Sequence, residues 1–159
     1  MEAAMQTPIP QLVDLCKRYG LALGYKPFDG PTLMFALAMV ESSDGKSCAP
    51  LHEDGYCRGG KYFDEIATAQ WNCLAHMSYG EWQVMWANLK VSPVILLSDA
   101  ETRAKLSSKF IANLALRVSQ AGLDLKGSLA LFAHHYNGPN VSQKYIDNLT
   151  AAYEKGLPT

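Results

Sequence analysis

The sequence has no long hydrophobic run: the longest, Leu33 to Val40, is eight residues in a chain of 159. A bilayer-spanning helix needs about 20, so no membrane span is encoded. The start, "MEAAMQTPIPQLVD", lacks a cationic segment followed by an apolar stretch and does not read as a secretory signal. Charge of one sign is missing too. Fourteen Lys and Arg face fifteen Asp and Glu, for a formal net charge of −1, with no basic run and no basic stripe interleaved with aromatics. Nucleic acid is therefore not an expected partner. Cysteine is scarce, with four in the chain, too few and too scattered for a disulfide scaffold. Cys16 and Cys73 fall at apolar helical positions and read as small core residues. Cys48 and Cys57 flank the polar loop "CAPLHEDGYC" and are candidates for a disulfide that clips it. A zinc site built from both thiols and His52 is the alternative. It lacks a close CxxC pair and an evident fourth ligand, so no metal and no cofactor is expected.

What is present is helical periodicity almost throughout, with no alternation long enough to demand a sheet of any size. The expected fold class is mainly α, six or seven helices around one buried helix with little or no sheet, in a single domain spanning residues 1–159. Ile9, Leu12, Cys16 and Tyr19 form a first stripe closed by Gly20. Asp29 is placed to cap a second helix, with Pro31 in its first turn. That helix is apolar on nearly every side and should be enclosed by the others. From Ser42 to Phe63 an irregular excursion is expected, and loops of that length in small domains are often functional. Asp64 should cap a helix with the stripe Ile66, Ala69, Cys73 and Met77. "SDAE", Ser98 to Glu101, matches a capping box opening a long helix to about Ala121. Asp124 should cap the next, with Leu125, Leu129, Phe132 and Tyr136 on one face, and a final helix should bury Val141, Tyr145, Leu149 and Tyr153.

The enclosed helix ends in an acid. Ala38, Leu37 and Met34, the positions three, four and seven before Glu41, are all apolar, so the face leading to the carboxylate is dry. A helix C-terminus also carries partial negative charge. Desolvation and dipole both favour the protonated form, the form a general acid needs near neutral pH. Ser42, Ser43, Asp44 and Gly45 then break the helix and leave the group at an opening.

Two further stretches combine with Glu41-Ser42: Gly80-Glu81-Trp82-Gln83-Val84-Met85, and Tyr136-Asn137-Gly138. In this order, each at an expected helix end, they make the chain from about Leu33 to Tyr153 resemble the lysozyme-like soluble lytic transglycosylases, a family related in fold to goose-type lysozymes. The chain departs from the family pattern at Glu81, usually apolar, and at Trp82, bulkier than the usual methionine. The resemblance implies a lysozyme-like fold and cleavage of the MurNAc-GlcNAc bond of peptidoglycan, with Glu41 as general acid and base and a 1,6-anhydromuramoyl product. It implies substrate-binding roles for Ser42, Gly80, Trp82, Gln83, Tyr136 and Asn137, with Tyr136 orienting the Glu41 proton, and peptidoglycan glycan strands as the partner of a monomer. Such a substrate places the activity outside the cytoplasmic membrane, as a phage lysin, a virion-associated enzyme or a trimmed exported form.

Two alternatives stay open. A hydrolytic muramidase needs a second carboxylate, for which Asp44, Glu53, Asp54 and Asp64 are candidates in the loop. An inactive glycan-binding or structural module of a phage particle or secretion machine needs none. His134 and His135 are adjacent on a helix, do not share a face, and are not expected to bind one metal together.

Overall fold

The computed structural model describes residues 7–43 and 49–159. Among them the chain is predominantly α-helical with one minor sheet. Helix α1 (Ile9–Tyr19) leads through a 3-10 turn (Gly20–Leu23) to the central helix α2 (Gly30–Glu41). A 3-10 turn (Asp54–Tyr56) lies between strand β1 (Leu51–His52) and α3 (Glu65–Trp71), which continues into a second 3-10 segment (Asn72–His76) and strand β2 (Met77–Tyr79). Strand β3 (Val84–Met85), α4 (Trp86–Leu89), α5 (Pro93–Ser98), the long α6 (Ala100–Ser119), α7 (Leu125–Asn137) and α8 (Gln143–Lys155) follow. The three short strands pair antiparallel in the order β1-β2-β3.

Helix α2 is the hub, as its composition predicts. Asp29 caps it by accepting from the Thr32 amide at 3.1 Å, and its body from Leu33 to Ala38 is no more than 6% exposed at any residue. It packs on α1, on the first 3-10 turn and on α8. The approach to the 3-10 turn is close enough to require glycine on both sides. A Cβ on Gly30 would lie 1.9 Å from the Gly20 carbonyl oxygen, and one on Gly20 would lie 2.7 Å from the Pro31 Cα. Around α2 a single core joins residues from α1, β2, β3 and α4 to α8, including Leu12, Trp82, Ile111, Phe132 and Leu149.

Several local expectations are corrected. The α3 stripe fails: Ile66 is 82% exposed, and Ala67 is the buried residue. The helix stops at Trp71 because Asn72 takes a positive φ of 53°, which asparagine tolerates better than most residues. Cys73 is therefore exposed rather than in the core. The cap of α6 is Asp99, not Ser98. Its carboxylate accepts from the Glu101 amide at 3.1 Å and from the Thr102 hydroxyl, whereas the Ser98 hydroxyl turns back to Val94 of α5. The excursion after Ser42 contains β1, so some of it is ordered as a sheet edge.

The largest departure is a charge pair inside the core. Arg103 on α6 is 2% exposed and Glu81, in the β2–β3 turn, is 1% exposed. The guanidinium grips the carboxylate with two hydrogen bonds of 3.0 and 2.9 Å and donates a third, of 2.9 Å, to the Leu96 carbonyl of α5. The Thr7 hydroxyl donates to the same carboxylate. Each nitrogen and oxygen of the pair thereby has a hydrogen-bond partner, the condition under which buried charge is tolerated. Removing one partner leaves the other buried and alone. Arg103→Met should thus destabilise the chain by about 3 to 5 kcal/mol, read by urea denaturation, and the double variant with Glu81→Leu should recover most of that loss. A single variant of wild-type stability would show that the pair is not closed in solution.

Candidate active site

Glu41 is the last residue of α2, and the chain turns sharply after it. The Ser42 amide and hydroxyl both donate to the Ala38 carbonyl, and Ser43 takes a φ of 51°. The carboxyl group is left half-buried at the end of an enclosed helix. Burial pushes its pKa up from 4.5 to about 7, a hydrogen bond from the Tyr145 hydroxyl pulls it down, and the negative charge of Glu53 adds to the rise. The carboxyl can therefore both donate and accept a proton at neutral pH.

The hydroxyl at Glu41 belongs to Tyr145, on α8, which donates to Glu41 Oε1. Tyr136, expected in that role, instead donates its hydroxyl to the Trp82 carbonyl and stacks on Phe132 at 5.7 Å. It stays in the neighbourhood: burial first, and then the charges of Glu41 and Tyr145, hold its hydroxyl protonated. The two tyrosines divide the work: Tyr145 meets the acid, and Tyr136 fixes the turn beneath it. Tyr145 reads in the sequence as one more member of the stripe Val141, Tyr145, Leu149, Tyr153. The available signal was its phenol, because a tyrosine on a core-facing stripe needs a partner for its hydroxyl.

The Gly80–Gln83 segment is the frame of the site. Gly80 has φ +75°, and a Cβ there would lie 2.5 Å from Arg103 Cδ, so glycine is needed for close packing on the buried arginine. Trp82 is fully buried and donates its indole N–H to the Met34 carbonyl of α2 at 2.9 Å. This corrects the expected sugar-stacking role, because a ring enclosed by the core has no free face. The Gln83 amide is spoken for as well: Nε2 donates to the Ala49 and Gly80 carbonyls at 3.2 and 2.7 Å, and Oε1 accepts from Ser78 at 2.8 Å. Gln83 thus ties the chain re-entering after α2 to the hairpin. Ser42 is fully buried, so a sugar does not reach it in this conformation. Asn137 ends α7 and is exposed.

Of the loop acids, Asp44 lies outside the described residues. Asp64 caps α3 through the Ala67 amide at 2.9 Å, and the fully exposed Asp54 lies 3.3 Å from His52 Nδ1. Glu53 is the one whose charge is felt at Glu41. Cys57 is a free thiol, and the proposed pairing with Cys48 concerns a residue outside those described. Beside Val40 and Ser43 a groove of about 1050 Å³ extends between Met39 and the end of α8, with Asn148 and Lys155 on its wall. It is adjacent to the acid and does not contain it.

No family model, no curated protein and no solved structure matches the chain.

The partners of Glu41 act on it in opposite directions. Tyr145→Phe removes the bond that favours the carboxylate and should raise the Glu41 pKa above about 7, while Glu53→Gln removes a like charge and should lower it. Carboxyl-carbon NMR titration distinguishes the two, and a midpoint unmoved in both variants would break the proximity claimed for them. Stability carries the same signature. Folded Glu41 keeps its proton to about 7 whereas the unexposed-to-burial value is 4.5, so the unfolded chain binds fewer protons between those limits and stability falls as pH rises through that window. The loss is complete above about pH 7 and amounts to about 3 kcal/mol. Glu41→Gln should therefore melt higher than wild type at alkaline pH and lose that advantage towards the lower limit, as followed by thermal unfolding across pH.

Proposed function

We propose that the chain has a lysozyme-like fold and is a peptidoglycan lytic transglycosylase that cleaves the MurNAc-GlcNAc β-1,4 bond, with Glu41 as its single acid and base. The observation that carries this reading is the carboxyl group at the end of an enclosed helix, held by Tyr145, with a pKa raised to about 7 by burial. The ordered occurrence of Glu41-Ser42, Gly80 to Met85 and Tyr136-Asn137-Gly138 supports it. A binding module would have no use for an acid kept protonated at a cost in stability.

In the proposed reaction, protonated Glu41 gives its proton to the glycosidic oxygen as the bond to C1 of the muramoyl ring breaks and positive charge builds on that ring. The carboxylate so formed takes the proton of the ring's own C6 hydroxyl, whose oxygen bonds to C1. The bond lost is replaced by an intramolecular one, water is not consumed, and Glu41 ends protonated as it began. A nucleophile already attached to the ring has a large effective concentration, so one carboxyl suffices. Tyr145 holds Oε1 and orients the proton-bearing edge of the group.

A hydrolytic second reading is favoured by one observation, the charge of Glu53 acting at Glu41. Glu53 would then be the base that activates a water in an inverting reaction.

Mass spectrometry of the fragments released from purified peptidoglycan separates the readings, because anhydro ends are lighter than reducing ends by one water. Anhydro ends alone are expected, and reducing ends alone would overturn the transglycosylase reading. Glu41→Gln should lower turnover by at least about 100-fold while fold and wall binding persist, and full activity in that variant would refute the catalytic assignment. Wild-type turnover should fall as pH rises above about 7, where Glu41 loses its proton.

A further inference from the structure

The β1–β2 ladder sets His52 opposite Met77, and the Glu53 amide donates to the His76 carbonyl at 2.7 Å. This pairing brings two histidines from distant parts of the sequence to one place. The 3-10 turn after Glu53 then folds Cys57 back between them. Cys57 Sγ lies 3.1 Å from His52 Nε2 and 3.6 Å from His76 Nδ1, and the three ligand atoms all lie within 4.8 Å of one another. Around a tetrahedral ion with bonds of about 2.0 Å to nitrogen and about 2.3 Å to sulfur, ligand atoms stand roughly 3.3 to 3.7 Å apart. The two sulfur–nitrogen distances are already near those separations, and the two nitrogens lie within 4.8 Å of each other.

The outer hydrogen bonds fix which ring nitrogens are available. The Thr68 hydroxyl donates its one proton to the Asp64 carbonyl at 2.7 Å, so at 2.9 Å from His76 Nε2 it must accept. His76 thus carries its proton on Nε2 and turns the Nδ1 lone pair to the thiol. His52 Nδ1 faces the Asp54 carboxylate at 3.3 Å, which places the proton on Nδ1 and the Nε2 lone pair towards the same sulfur. In the neutral tautomers that these contacts favour, two imidazole lone pairs face one thiol. A dication satisfies all three groups, with the outer contacts to carboxylate and hydroxyl that ligating histidines usually have.

We propose that His52, Cys57 and His76 bind a zinc-class divalent ion, which pins β1 and the turn after it to the end of the Asn72–His76 segment. Binding forms one metal–sulfur and two metal–nitrogen bonds and releases the Cys57 thiol proton to solvent. The fourth position is left to water or another ligand. The reading does not depend on glycan cleavage, and the ion would fix the loop that carries Glu53.

The test is titration of the reduced, chelator-stripped full chain with Co²⁺. One equivalent should bind with a thiolate-to-cobalt charge-transfer band, and Zn²⁺ should displace it and raise the melting temperature. Cys57→Ser should abolish the band, and His76→Ala should weaken binding by more than the about 100-fold that bounds outer-contact losses. His52→Ala changes an exposed side chain and so tests the site without threatening the fold, while Asp54→Asn should cost about 10-fold. Binding unaltered in Cys57→Ser and His52→Ala would mark an adventitious ion and overturn the proposal. So would a wild-type chain that takes up no Co²⁺, or one isolated with Cys57 stably linked to Cys48.

Discussion

The rest of the site depends on one buried ion pair, Glu81 with Arg103. Its carboxylate sits in the turn between β2 and β3, and its guanidinium reaches in from the long helix α6. Several contacts around Glu41 hang from that turn: Gly80 gives the guanidinium its space, Trp82 reaches the Met34 carbonyl, the Trp82 carbonyl takes Tyr136, and Gln83 secures Ala49. An ion pair is directional and costly to leave unmatched, so it specifies one position for the turn where an apolar contact would allow several. Glu81 is therefore the anchor of the Gly80–Gln83 segment.

Helix α2 solves the complementary problem of holding an acid where solvent does not favour its charge. The helix is enclosed over Leu33 to Ala38, and enclosure on all sides leaves its C-terminal carboxyl with little water to stabilise an anion. Tyr145 and Glu53 then adjust the group in opposite senses. The position of the proton is set by packing first and by two neighbours second.

Much of this was legible in the sequence, and the failures share a cause. The caps at Asp29, Asp64 and Asp124 were readable because a cap is a local bond between residues three apart. The enclosed helix and its terminal acid were readable because apolarity on every face is a property of one segment. Trp82, Arg103 and Tyr145 were misjudged or missed because each is defined by a partner far along the chain: Met34, Glu81 and Glu41 respectively. Asp99 displaced Ser98 as the α6 cap because α5 ends one residue earlier and occupies the serine hydroxyl. His76 carried no local pattern at all, and only the strand register brings it to His52.

The hydroxyl that meets Glu41 comes from a residue 104 positions later, on the last helix described. A ribosome emits the acid early and its partner late. Until α8 has emerged and docked, the carboxyl has no bond to orient it and the wall of α2 that α8 covers stands open. The acid and the hydroxyl that orients it thus meet only when α8 docks on α2.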